Sequence, residues 1–246
     1  MGKKYFTLSF DDGLEQDKRV IRLMRQYGLK GTFNLNAGLF GTRGEVKGLG
    51  TFSFQDCPEG VKHKFPFSYV QHNRIPQDEV CQVYEGMEIA THGFRHEPLG
   101  VVSEDEMRAS VDADKAALEK IFGTTVVGHA YAQGSTSPAA QAYLKAQGYQ
   151  YAREVFPSGG FAFPEDPMNF RPSSSLILKN AAKLVERFKC EEPGEKDLLL
   201  FLWAHSYEMD YEKGNASWYA LERLFESIAG RSDIVYCTNS EAFAHI

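Results

Sequence analysis

Residues 5–13 read Tyr-Phe-Thr-Leu-Ser-Phe-Asp-Asp-Gly, an apolar strand-like run that ends in two adjacent carboxylates and a glycine. A second strand-like run, Glu88–Thr91, is followed by His92-Gly-Phe-Arg-His96. Catalytic divalent-metal sites use about three protein ligands from His, Asp or Glu and leave one position open. One aspartate and the two histidines supply such a set, and the other aspartate remains as a candidate base.

Strand-like runs alternate with amphipathic helical stretches along most of the chain. Helical spacing of apolar residues follows the first run and stops at Gly28, and Ser103-Glu-Asp-Glu106 has the capping-box pattern of a helix start. Further strand-like runs span 31–36, 125–130, 149–155, 198–204 and 234–237. This alternation predicts the α/β class, with a mostly parallel sheet covered by helices.

Composition excludes several classes of protein. The 246 residues carry a net charge of −6, which argues against nucleic acid as a partner. No apolar stretch approaches the roughly 18 residues of a membrane span. The amino terminus leads directly into the first run and leaves no room for a secretion signal, and the four cysteines lack metal-ligand spacing. We therefore expect a cytoplasmic protein with unpaired thiols and no membrane partner.

The length suits one catalytic domain over residues 1–246. An irregular, Gly- and aromatic-rich insertion interrupts the α/β rhythm at about residues 37–85. Such a segment is either a lid or binding loop, or an excursion that covers a small apolar cluster of its own. A second irregular stretch spans residues 156–176.

Polar groups follow several of the predicted strands where each strand ends. In parallel α/β folds the carboxyl ends of strands meet at one rim, and reactive groups collect there. The residues delivered to this rim by five strands are Asp11, Asp12, His92, His96, His129, Tyr131, Arg153 and His205. A lone histidine is usually structural, but convergence from five strands predicts a functional site.

Three of these motifs carry a family resemblance. Ser-Phe-Asp-Asp-Gly at 9–13, Thr-His-Gly-Phe-Arg-His at 91–96 and Trp-Ala-His-Ser-Tyr at 203–207 resemble, in order, the motif series of the polysaccharide deacetylases, carbohydrate esterase family 4. The resemblance implies a distorted, incomplete (β/α) barrel, TIM-barrel-like, with about seven core strands. It also implies metal-dependent hydrolysis, in which a metal-bound water attacks the acetyl carbonyl of an N-acetylated sugar.

The resemblance assigns a role to each matching residue. Asp11 takes the place of the general base, and Asp12, His92 and His96 take the places of the metal ligands. His205 takes the place of the acid that protonates the leaving amine, which suits the ordinary pKa of histidine. Zinc is the expected metal, and an Asp/His/His set also accepts cobalt, nickel or iron.

Two family elements are absent from the sequence. The third motif, Arg-x-Pro-x-Gly in the family, has Ala130 and Ala132 at its Arg and Pro positions. We hypothesise that Arg153 supplies the missing charge and orients Asp11, and by analogy the backbone N–H of Gln133 completes the oxyanion site. The family's Asp-Trp element, which tunes the acid histidine, is not recognisable.

The sequence thus predicts a hydrolase that deacetylates an N-acetylated carbohydrate or a related small amide. One alternative is an amidohydrolase acting on another C–N bond, such as that of a cyclic imide or ureide. The intact trio of candidate ligands argues against it, because relatives with that chemistry usually lack the full metal set. The other alternative is a non-catalytic carbohydrate-binding member of the fold, which the two missing elements favour. Glu208 either faces the site or caps the turn after His205.

Overall fold

The computed structural model describes residues 2–47 and 69–244. The strands are β1 Lys4–Asp11, β2 Gly31–Leu35, β3 Glu45–Lys47, β4 Tyr69–Gln71, β5 Glu88–Thr91, β6 Gly128–Ala130, β7 Tyr151–Arg153, β8 Ser174–Ser175, β9 Leu198–His205 and β10 Ile234–Tyr236. The α-helices are α1 Asp17–Gln26, α2 Val80–Val83, α3 Glu104–Phe122, α4 Pro138–Ala146, α5 Ala181–Cys190, α6 Trp218–Ile228 and α7 Asn239–Phe243.

The main sheet has the strand order β7-β6-β5-β2-β1-β9-β8, and β10 pairs with the amino-terminal half of β1. All of these pairings are parallel. The segment from Phe170 to Ser175 crosses the gap between the two edges, since Phe170 bridges to Arg153 of β7 and β8 pairs with β9. The sheet is therefore an incomplete barrel closed by an irregular segment, which confirms the predicted fold class.

The two faces of β1 have different partners. Phe6, Leu8 and Phe10 belong to the large apolar cluster beneath helices α1, α5 and α6. The alternate residues of β1 point into the barrel, because successive side chains of a strand face opposite sides. This inner row becomes more polar towards the carboxyl end of the strand and finishes at Asp11. The alternation therefore places Asp11 at the inner rim of the barrel.

The barrel interior is filled by a second apolar cluster. Phe201 and Trp203 on β9 contribute to it, and Phe243 of α7 stacks on Tyr151 with 5.0 Å between the ring centroids. The terminal helix thus closes the amino-terminal end of the barrel, while the carboxyl ends of the strands stay available for polar groups.

The predicted helix signals are confirmed where they were clearest. The Ser103 side chain accepts the N–H of Glu106, and the Glu106 carboxylate accepts the N–H of Ser103, so α3 begins with a capping box. Ser137 caps α4, with Pro138 in its first turn. The strands predicted at 125–130 and 149–155 are shorter than expected, because pairing is limited to the three residues of β6 and of β7. Helix α5 and the two-residue β8 had no sequence signal that we recognised.

The predicted insertion is described only at its two ends. Strands β3 and β4 pair with each other as antiparallel neighbours, and residues 48–68, including Cys57, lie outside the described part. The role of the insertion and the single-domain organisation stay predictions. The described cysteines, Cys81, Cys190 and Cys237, are unpaired. Within residues 2–47 and 69–244, no helix is long and apolar enough to cross a membrane.

Candidate metal-binding active site

The end of β1 explains how two neighbouring aspartates reach one site. Asp11 is the last residue of the strand, and Asp12 and Gly13 adopt φ values of 80° and 70°. Left-handed backbone is unfavourable for a non-glycine residue and is concentrated at functional sites in proteins. The N–H of Asp12 donates to the carbonyl of Asn34 at 3.0 Å, which secures the turn. The strand pattern alone would send the two side chains to opposite faces, and this turn brings them to the same rim.

The two histidines lie on a turn after β5 and not on a helix. His96 has a φ of 65°, and its N–H donates to the carbonyl of Gly93 at 3.2 Å. The turn is tight enough to place the two imidazole centroids 4.8 Å apart. Gly93 has a φ of 81°, so a side chain there would be strained.

Buried polar side chains from distant elements hold this turn. Asp114 of α3 accepts the N–H of His92 at 3.0 Å and the N–H of Ala37 at 2.8 Å. Asn36 donates from Nδ2 to the carbonyls of His92 and Gly93 at 2.8 and 2.7 Å. Neither residue could be identified from the sequence, because contacts between a side chain and a remote backbone leave no local pattern.

Asp12, His92 and His96 lie together as a possible metal-binding group, with one ligand atom of each within 4.8 Å of the others. The Nε2 atoms of His92 and His96 are 3.9 and 3.8 Å from Oδ1 of Asp12. The Nδ1 atom of His92 bonds to the carbonyl of Ala130 at 2.7 Å, so its proton lies there, and the buried Nε2 has no hydrogen-bond partner. This unpartnered atom is what a metal ligand requires.

The ionisation states of the group also suit a cation, since metal ligands must be deprotonated. Burial opposes the charged form of Asp12, but the hydrogen bond from His72 and nearby positive charges outweigh burial and hold the pKa of Asp12 well below its usual value. Burial and the neighbouring His92 lower the pKa of His96 to about 4. The carboxylate and the neutral imidazole therefore fit a divalent cation of the zinc type.

Asp11 is fixed beside this group by Arg153. Nη2 of Arg153 donates to both carboxylate oxygens of Asp11 at 2.6 Å, and Asn34 donates to Oδ1 at 2.7 Å. The other oxygen, Oδ2, lies 3.9 Å from Nε2 of His92. Burial raises the pKa of Asp11, but the positive charges around it, led by Arg153, outweigh burial and lower the pKa below its usual value. Asp11 is therefore an oriented carboxylate.

The position of Arg153 follows from strand register. Arg153 on β7 is the direct neighbour of Ala130 on β6, the position where the family pattern has its arginine. The side chain is fully buried, and its guanidinium lies 4.6 Å from the Trp203 ring centroid. The small side chain of Ala130 leaves room beside it. The contact between Arg153 and Asp11 is the geometry that the sequence hypothesis required.

His205 lies next to Asp11, since the two residues are register partners on β9 and β1. The Glu208 carboxylate accepts the backbone N–H of His205 at 2.9 Å and lies 3.7 Å from its Nδ1. Glu208 thus both caps the turn after β9 and faces the imidazole, so both readings of this residue hold. Burial opposes protonation of His205, but nearby carboxylates, led by Glu208, outweigh it and raise the pKa of His205 to about 9.

Other rim residues are placed differently. Gln133 is exposed in the loop after β6 with a φ of 59°, and the role of its N–H stays a prediction. His129 is buried in the protein interior, where its Nδ1 and the Thr91 hydroxyl form a hydrogen bond of 2.8 Å. Two further residues of the site carry no signal in the sequence: His72, whose Nε2 lies 2.9 Å from Oδ2 of Asp12, and Arg74, whose Nη2 lies 3.2 Å from Oδ1. Both precede helix α2 in a segment without periodicity.

Several solved structures have a fold similar to that of this chain. A family 4 acetyl xylan esterase from Clostridium thermocellum, solved with a cobalt ion, has a TM-score of 0.55 at 15% identity and covers 98% of this chain and 91% of its own. The Xyl-CE4 domain of a multidomain xylanase from the hindgut metagenome of Trinervitermes trinervoides has a TM-score of 0.54 at 15% identity. The match covers 99% of this chain and 91% of that domain. A family 4 pseudoenzyme from Bacillus anthracis has a TM-score of 0.57 at 14% identity. The match covers 98% of this chain and 66% of the pseudoenzyme.

At these identities the likeness concerns the fold. A search of curated proteins found no match. The family model for polysaccharide deacetylase matches residues 1–152, a segment that contains β1, the histidine turn and β6. This chain therefore belongs to the polysaccharide deacetylase family.

Proposed function

We propose that this chain is a metal-dependent hydrolase that removes an acetyl group from an N-acetylated sugar or a related small amide. The single observation that carries the proposal is the pairing of a buried, arginine-bound carboxylate, Asp11, with the adjacent ligand group of Asp12, His92 and His96. A base and a cation site side by side form an arrangement suited to the hydrolysis of an unactivated amide by an activated water molecule.

A divalent cation held by the three ligands would lower the pKa of a water molecule and polarise the acetyl carbonyl. Asp11 accepts a proton from the attacking water through Oδ2, the oxygen nearer the ligand group. His205 donates a proton to the amine nitrogen as the C–N bond breaks, and acetate and the free amine leave. The raised pKa of His205 keeps it protonated at neutral pH, as a general acid must be.

The remaining assignments are parts of the same proposal. The N–H of Gln133 is assigned to the developing oxyanion, and Arg153 orients Asp11. Zinc is the proposed metal, with cobalt, nickel and iron as other candidates for the donor set. The cytoplasmic location stays a prediction of the sequence.

The proposal is tested by metal analysis of the purified protein together with acetate release from N-acetylglucosamine oligomers. We expect stoichiometric zinc or a related cation, loss of acetate release after chelation, and recovery on metal addition. Asp11→Asn should bind the cation normally and release acetate far more slowly. A protein that binds the cation but is inert on every acetylated sugar and small amide would favour the non-catalytic alternative, and ring opening of cyclic imides would favour the other.

A further inference from the structure

His72 approaches the candidate site from the segment that follows strand β4. Its Nε2 lies 2.9 Å from Oδ2 of Asp12, and its side chain is only 15% exposed. In the described part of the chain, no other group hydrogen-bonds to this oxygen. The family motifs do not include this residue, because it belongs to the irregular segment between β2 and β5.

The His72 ring is held in place from several sides. Its backbone N–H donates to the carbonyl of Gly44 at 2.8 Å, and the N–H of Arg74 donates to the carbonyl of Thr42 at 2.9 Å, which continues the pairing of β3 and β4. The ring packs edge-on against Tyr207 with 5.1 Å between centroids. His72 therefore contacts Asp12 from a fixed backbone and a packed ring.

The contact divides the two oxygens of Asp12 between different partners. Oδ1 is the oxygen near the Nε2 atoms of His92 and His96, whereas Oδ2 faces His72. Arg74 donates from Nε to the backbone carbonyl of Asp12 at 3.1 Å, which secures the left-handed backbone of Asp12. Its Nη2 donates to Oδ1 at 3.2 Å, so Oδ2 is left to His72. Partners of this kind fix the rotation of a ligating carboxylate.

We propose that His72 is the positioning residue of Asp12: its Nε2–H holds Oδ2 and keeps Oδ1 turned towards His92 and His96, and this sets the affinity for the divalent cation. The inference rests on the proposed function, since it assumes that these three residues bind a cation. It assigns to the irregular segment between β2 and β5 a role in cation binding, in addition to any role in covering the substrate.

The test measures cation affinity directly. Metal-free protein is titrated with Co²⁺ and with Zn²⁺, and the visible spectrum of bound Co²⁺ reports the ligand geometry. We expect His72→Ala to weaken both affinities by roughly 10- to 100-fold and to alter the Co²⁺ spectrum. His72→Gln keeps an N–H donor at a similar reach and should recover most of the affinity.

Two controls separate positioning from folding. Asn73→Ala changes the neighbouring side chain, which bonds to Gln71 and to the Gly44 backbone, and should alter the affinity by less than about twofold. If His72→Ala melts early in its metal-free form, His72→Phe fills the space against Tyr207 without a donor and carries the same comparison. The inference about His72 is overturned, and the proposed function is not, if the variant without a donor keeps its Co²⁺ affinity or if His72→Gln is weakened as much as His72→Ala. A wild-type protein that binds neither cation overturns both the inference and the proposed function.

Discussion

Replacement of Arg153 is the perturbation that best tests how the site is built. Arg153→Met keeps an apolar stem of comparable length beside Trp203 and removes only the guanidinium. The change leaves Asp11 buried with Asn34 as its remaining side-chain donor. Because the variant abolishes the pairing and little else, its effects report on what the guanidinium does for the carboxylate.

The expected cost in stability follows from the burial of both partners. Arg153 and Asp11 are each about 1% exposed, so solvent does not screen the contact. Removing one partner of a buried ion pair costs about 3–5 kcal/mol, because the remaining charge is left without compensation. In a domain of this size each kcal/mol lowers the melting temperature by roughly 2–4 °C, so we expect a fall of roughly 6–20 °C.

Activity should change in a defined direction as well. Without the guanidinium, burial dominates and raises the pKa of Asp11, which must be ionised to act as a base. The acid limb of the kcat/KM profile should therefore move to higher pH, and kcat should fall by roughly 10²- to 10⁴-fold, the usual value of a general base. Cation content should be preserved, because the direct contacts of Arg153 are with Asp11 and the Glu154 carbonyl.

A double-mutant cycle with Asp11→Asn isolates the pair. Once the carboxylate is neutral, removing the guanidinium no longer strands a charge, so the two losses of stability should be less than additive, with a coupling of about 1–3 kcal/mol. The measurements are thermal unfolding, cation analysis and the pH profile of acetate release. Additive stability losses within about 0.5 kcal/mol, together with an unmoved acid limb in Arg153→Met, would refute the reasoning.

Two further predictions concern the neighbours of this pair. Ala130→Arg in an Arg153→Ala background should recover part of the lost kcat, because the two positions are register partners. Ala130→Arg alone should overcrowd the buried site. Equal activity of Arg153→Ala with and without the added arginine would contradict the rescue. Glu208→Gln removes the main carboxylate that raises the pKa of His205, so the alkaline limb of the kcat profile should move to lower pH by about one unit or more. An unchanged alkaline limb would show that Glu208 only caps the turn.

The parts of the site that could be predicted from sequence are those with a local pattern. Asp12 and His92 each directly follow a strand-like run, and the rule that reactive groups follow the carboxyl ends of parallel strands was enough to bring them together. Arg153 could be proposed because a missing charge at Ala130 demanded a replacement on a neighbouring strand. In these cases the sequence shows both the type of side chain and its approximate position at the end of a strand.

The supporting residues carried no such pattern. Asp114 is one polar residue on the buried face of a long helix, and its contacts with the backbone of the histidine turn depend on how α3 packs against β5. His72 lies in a segment without periodicity, so neither its depth nor its direction could be worked out. The tight turn that brings His92 and His96 together could not be predicted either, because a φ of 65° at His96 is a property of the folded turn.

The Asp11–Arg153 pair bears on whether this chain retains a working site. A buried ion pair contributes little to stability, since the desolvation of both charges offsets their attraction and apolar residues of similar volume serve as well or better. A binding-only member of the fold has no structural need for such a pair beneath its rim. A base catalyst does need it, because the guanidinium keeps a buried carboxylate ionised and oriented towards the ligand group. Arg153, the register partner of Ala130, holds a positive charge against Asp11, which supports catalysis over binding alone.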